Sequence, residues 1–126
     1  MIPDVYSAVT PPMPEGLTLV EEALGAEGWR ARVRVEASCP LFDGHFDGAP
    51  ILPGIAQLAL VRRGLAVLAG LGMAGLPSVR FRRPIRPGDV LDVLVARPDA
   101  DGRLRFEVRA GPELAGGGVA QARRHG

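Results

Sequence analysis

The feature that most constrains this chain is an apolar run over residues 53–70 that carries only Arg62 and Arg63 as charges. Pro53-Gly54 opens it, and proline suits a first helical turn, where its missing N–H costs nothing. Five or six shorter segments surround it. In one, Ala31, Val33 and Val35 alternate with Arg30, Arg32, Arg34 and Glu36. Another alternates Leu104, Phe106 and Val108 with Arg103, Arg105, Glu107 and Arg109. Period-two alternation makes a strand with one apolar face, and a helix apolar almost all round must be nearly wholly buried. The cheapest way to bury both is to wrap one antiparallel sheet around one helix, an α+β architecture. The expected strands are 17–24, 29–37, 79–82, 90–96, 103–109 and 118–123, with 1–16 as a Pro-rich extended arm and the whole of 1–126 as one domain.

Charge and cysteine content narrow the function classes. Fifteen basic residues, all Arg, face fourteen acidic ones for a net charge of +1, which argues against a general nucleic-acid binder. The single cysteine, Cys39, allows no internal disulfide and no Cys-rich metal site. The apolar stretch is too short and too interrupted by Gly and Pro to span a bilayer, and the N-terminus lacks the basic region of a secretory signal; a cytoplasmic protein is expected. His125 reads as a tail residue.

The chemistry is concentrated in Asp43-Gly44-His45-Phe46-Asp47-Gly48-Ala49-Pro50-Ile51-Leu52-Pro53-Gly54-Ile55-Ala56-Gln57-Leu58. A histidine in a Gly/Pro-shaped loop lies a few residues before a buried helix. His45 can move a proton near neutral pH. The helix start offers N–H groups without intrahelical partners and a partial positive charge, so an amide near Gly54 can stabilise a developing oxyanion on a carbonyl. Glycine there lets a substrate approach the backbone closely. This is the minimum equipment for proton transfer alpha to a carbonyl.

Gly44-His45-Phe46-x-Gly48-x-Pro50-x-x-Pro53-Gly54 resembles the signature of the hot-dog-fold (3R)-hydroxyacyl-acyl-carrier-protein dehydratases. Val79-Arg80-Phe81-Arg82-Arg83-Pro84-Ile85-Arg86-Pro87-Gly88-Asp89 resembles that family's second marker, a strand followed by a Pro-Gly-Asp turn. The stretch Ile51–Leu58 is also similar to small stand-alone dehydratase-like proteins of secondary fatty-acid-type pathways. The resemblance implies a hot-dog fold and a dimer, homomeric or with a different hot-dog chain, in which His45 is the catalytic histidine and the Gly54 amide holds the thioester carbonyl. It implies no metal and no cofactor. The substrate would be an acyl-carrier-protein or coenzyme A thioester, with Pro53, Phe46 and Gln57 beside it.

Two positions depart from the family pattern. The family's acid lies fourteen residues after the histidine, and that position is Ala59; Asp47 stands where proline is usual. Alanine cannot donate a proton to a leaving hydroxyl. Asp43 and Asp47 are candidate substitutes for the carboxylate, although Asp also bonds its own backbone in turns. Gln57 lies about 200° around the helix from Ala59 and faces elsewhere, while Arg62 and Arg63 share the Ala59 side but stay protonated. Three readings follow: a dehydratase relying on His45, a non-catalytic thioester-binding or partner subunit, and a thioesterase using an aspartate-activated water. Arg80, Arg82, Arg83 and Arg86 form a candidate dock for an acidic carrier protein or its phosphate. Alternatively, the five acids before Arg30 could pair with that patch internally.

Overall fold

The structure, a computed structural model, describes residues 11–38 and 54–124. Cys39, Asp43, His45, Phe46, Asp47, Pro53 and His125 lie outside the described residues. Strands β1 (Leu17–Leu24) and β2 (Gly28–Val35) precede helix α1 (Gly54–Ala69), which is followed by β3 (Leu71–Phe81), β4 (Val90–Ala96), β5 (Arg103–Ala110) and β6 (Glu113–Arg124). The strands form one antiparallel sheet in the order β1-β2-β4-β5-β6-β3. This is the α+β arrangement of sheet around helix that the residue pattern implies.

Alternation decides which face is inside. On β2, Trp29, Ala31, Val33 and Val35 are buried while Arg30, Arg32 and Arg34 face out. On β5, Leu104, Phe106, Val108 and Ala110 are buried and Arg103 and Arg105 are exposed. The inner faces meet Ala56, Leu60, Val61, Leu65 and Leu68 of α1 in one apolar core. The outer face carries ion pairs such as Arg32 with Asp92 at 3.1 Å. Such exposed pairs add little to stability.

Gly64 sets how closely helix and sheet approach. A β-carbon there would stand 2.6 Å from Trp29 Cε3 and 2.7 Å from Val95 Cγ2, and both side chains are fully buried. Neither an indole nor a β-branched side chain in a full core has room to yield. Gly64→Ala is therefore expected to destabilise the fold by about 1–3 kcal/mol, read as a lower urea midpoint at unchanged slope.

Three sequence expectations change. The third expected strand, 79–82, is the end of an eleven-residue strand beginning at Leu71. Gly72, Gly75 and Pro77 hide it, because they carry poor strand propensity. Pairing with β6 holds it nonetheless, with register shifts between Met73 and Gly75 and between Gly75 and Ser78. The last strand likewise begins at Glu113, its first half masked by Gly116-Gly117-Gly118. The helix is not buried all round: Ile55 is 74% exposed and Arg62 is exposed one face away from the sheet. A single sheet covers only one side of a helix.

Candidate active site

Gly54 and Gln57 bring two of the sequence-selected residues into the first turn of α1. The backbone N–H groups of that turn have no intrahelical acceptors. Gly54 is not simply open to a ligand, however. A β-carbon at Gly54 would lie 2.5 Å from Phe81 Cε2 and 2.7 Å from Cζ, so the ring at the end of β3 packs directly over the helix start. The same ring is 49% exposed, and it forms the boundary between the helix N-terminus and solvent.

Gln57 points inward from that turn. It is 3% exposed, and it is the buried polar side chain among the described core residues. Its Oε1 accepts no hydrogen bond from the described residues. The oxygen sits over Gly116 of β6, where any β-carbon would collide with it, and Phe81 Cδ1 lies 3.2 Å from the same point. An unsatisfied buried acceptor costs about 1–3 kcal/mol. Leu, of similar volume, would carry no such cost, so the amide at this position calls for an explanation beyond packing.

Ala59 is half-buried on α1, two residues past Gln57 and on a different side of the helix. Arg63, one turn beyond Ala59, is committed elsewhere. Its Nε stands 3.4 Å from Glu22 Oε1, and its Nη1 is 3.4 Å from the Pro11 carbonyl oxygen. Glu22 also accepts a 2.8 Å hydrogen bond from the Trp29 indole N–H. This half-buried network ties β1, β2 and α1 together and leaves Arg63 with a structural task.

The four arginines of the second motif separate into different environments. Arg83 donates to Asp89 Oδ2 at 2.9 Å and lies 3.4 Å from Glu113 Oε2. The hydrogen bond to Asp89 raises the Arg83 guanidinium above its already high ordinary value, so it stays charged. Asp89 Oδ2 also accepts from the Arg86 backbone N–H at 2.9 Å, and Gly88, at φ 88°, donates to the Val35 carbonyl. Only glycine takes that φ without strain, which explains the Pro-Gly-Asp turn as a clamp between β2 and β4. Arg80 and Arg82 have no ion-pair partner among the described residues. With Arg105 and Ser78 they line a groove of about 340 Å³ floored by Gly117 and Gly118. Three of the N-terminal acids pair away from this patch: Glu21 with Arg32, Glu22 with Arg63 and Glu27 with Arg30; Asp4 lies outside the described residues.

Sequence reasoning missed Phe81, Gly116 and Arg105 as site residues. Phe81 was legible, since alternation puts it on the opposite face from Arg80 and Arg82. Gly116 and Arg105 were not, because only strand register brings β6 beneath the helix start and sets Arg105 of β5 and Ser78 of β3 on either side of Val119 in β6.

A family model described as ApeI dehydratase matches residues 21–118. Among curated relatives, a 3-hydroxyacyl-[acyl-carrier-protein] dehydratase FabZ of Cereibacter sphaeroides is 36% identical over 83 residues, covering 56% of this chain and 54% of the relative. A FabZ of Albidiferax ferrireducens is 35% identical over 95 residues, covering 64% and 63%. The chain thus spans only somewhat more than half the length of these curated relatives. Among solved structures, the dehydratase heterocomplex ApeI:P from Xenorhabdus doucetiae superposes with a TM-score of 0.77 at 22% identity, covering 85% of this chain and 97% of that one. The PaaI protein of the E. coli phenylacetic acid degradation operon gives 0.61 at 17% identity, covering 95% and 90%. These likenesses establish the hot-dog fold.

Proposed function

Because the chain belongs to the ApeI-like dehydratase family, we propose that it acts on 3-hydroxyacyl thioesters, removing water to give enoyl thioesters in a fatty-acid- or polyketide-type biosynthesis. The observation that carries this reading is the family match over 21–118, which contains both the Gly-His-Phe/Pro-Gly motif and the helix it opens. In this reading the Gly54 amide and the helix dipole polarise the thioester carbonyl. His45 removes the alpha proton, and the electron pair left behind forms the C2–C3 double bond as the 3-hydroxyl departs. The proton on His45 then passes to that hydroxyl, which leaves as water. Pro53 and Phe46 bind the substrate in this reading, which calls for no metal or cofactor.

The dimer belongs to the same proposal. Among the described residues β3 has no strand on its outer edge, Val79, Phe81 and Ile55 are exposed, and the Phe81 ring packs at Gly54, the first residue of α1. A long apolar edge strand with free N–H and C=O groups is a template for pairing with another chain. A second hot-dog chain, identical or different, covers both the edge and the open side of α1, and sedimentation at micromolar concentration is expected to show a species of twice this chain's mass or more. The X. doucetiae relative is a heterocomplex. A different partner here would supply the carboxylic acid that Ala59 lacks. Ala59 likewise favours the second reading, a thioester-binding subunit that has lost catalysis.

The dock for an acidic carrier protein is the groove lined by Arg80 and Arg82, with Arg105 beside them at 3.9 Å from Glu107, which also lines it; exposed Arg86 belongs to the same motif, and Arg83 supports it by holding the turn. Exchanging Arg80 and Arg82 together for Glu is expected to weaken carrier-protein binding at least tenfold, with little change in unfolding midpoint. The wild-type affinity should fall steeply between low and high salt. An affinity indifferent to salt would remove this groove as the dock. The activity itself is tested by following enoyl absorbance with 3-hydroxyacyl thioesters of carrier protein and of coenzyme A, alongside free thiol. Thiol release without enoyl product would favour the thioesterase reading with Asp43 or Asp47 activating water.

A further inference from the structure

Resting on the acyl-thioester reading above, we propose that Gln57 selects substrates whose acyl portion carries a hydrogen-bond donor, a hydroxyl or N–H, several bonds beyond the 3-position. The side chain is almost wholly buried, and its Oε1 has no donor among the described residues. Glycine at 116 is what leaves room for that oxygen, because any β-carbon there would strike it. The polar atom is therefore accommodated by a neighbour rather than tolerated at the rim.

Its place relative to Gly54 says which part of a ligand reaches it. Phe81 touches both: Cε2 and Cζ lie toward Gly54, while Cδ1, on the opposite side of the ring, lies toward Gly116 and the Gln57 oxygen. One ring width separates the carbonyl-binding amide from the Gln57 acceptor. A 3-hydroxyl stays close to the carbonyl and remains on the Gly54 side. A carrier protein or coenzyme A remains outside the fold, so the pantetheine amides lie on the solvent side. The buried direction belongs to the acyl chain. A plain alkyl chain running along the Phe81 ring brings no donor to Gln57 and leaves the acceptor unsatisfied. A chain bearing a hydroxyl or N–H at that depth satisfies it.

The test uses three pantetheine analogues in which a methylene replaces the thioester sulfur and the acyl chain carries no 3-hydroxyl, so that neither hydrolysis nor dehydration can occur. Their acyl chains are matched in length and end in methyl, methoxy or hydroxyl. Titration calorimetry on the wild-type protein is expected to show the hydroxyl analogue binding about tenfold more tightly than either of the others. The methoxy arm separates donation from mere polarity. In Gln57→Leu the ratio of hydroxyl to methyl affinity should fall to one or below. Equal wild-type affinity for all three, or a preference that survives Gln57→Leu, overturns the assignment while leaving the thioester reading intact. Binding of none of them overturns both. The wild-type ratios decide the matter by themselves should the Leu variant fail to fold.

Discussion

His45→Ala is expected to abolish enoyl formation from a 3-hydroxyacyl carrier thioester, lowering the rate by about 10²–10⁴. The imidazole is the candidate group able both to accept the alpha proton and to return it near neutral pH. The loss should appear in kcat and in kcat/KM alike, because the proton is moved only in the transition state. Affinity for an unreactive thioester analogue should hold, since the carbonyl contact in this reading comes from the helix start. Full turnover in His45→Ala, measured by enoyl absorbance, would remove this residue from the mechanism. Loss of turnover together with a large drop in unfolding midpoint would instead mark His45 as a loop-ordering residue.

Ala59→Glu is expected to act in the opposite direction, raising dehydration by about 10²–10⁴. The position is half-buried on α1, on the side of the helix away from Gln57. A carboxylic acid there supplies the proton that alanine cannot give to the leaving hydroxyl. Half-burial disfavours the charged form and so raises the share of the protonated acid. The wild-type rate measured beside it separates the two readings. A slow but real wild-type rate that rises in the variant describes an enzyme working with His45 alone. Activity in the Glu variant and none in the wild type describes a binding subunit. If a different hot-dog chain donates the acid, adding that chain to the wild type should bring the rate near that of Ala59→Glu, with no further gain in the variant.

The two sides of α1 show why some of the site was readable and some was not. His45 and Gly54 stand out as candidates from local sequence, a histidine in a Gly/Pro-shaped loop nine residues before the glycine that opens a helix, whereas Ala59 stands out only through the family resemblance. The role of Gly54 was only half legible. Close backbone approach predicts glycine there, but the side chain that makes the approach is Phe81, some twenty-seven residues later. The apolar composition of α1 suggested complete burial, yet Ile55 is among the exposed residues. Composition records how much apolar surface a helix has, not whether this chain or another covers it.

The sequence by itself determined the elements with strong alternation, the inward and outward faces of β2 and β5, the helix after Pro53-Gly54, and the family to which the motif belongs. Those properties are local, set by side chains two to four residues apart. Tertiary structure alone decided that β3 and β6 extend through their glycines and a proline, that Arg83 serves the Asp89 turn while Arg80 and Arg82 have no ion-pair partner among the described residues, and that Gln57 ends beside Gly116 with no donor among those residues. Each of these depends on strand register between segments far apart in the chain, where pairing and packing outweigh the weak preferences of single residues.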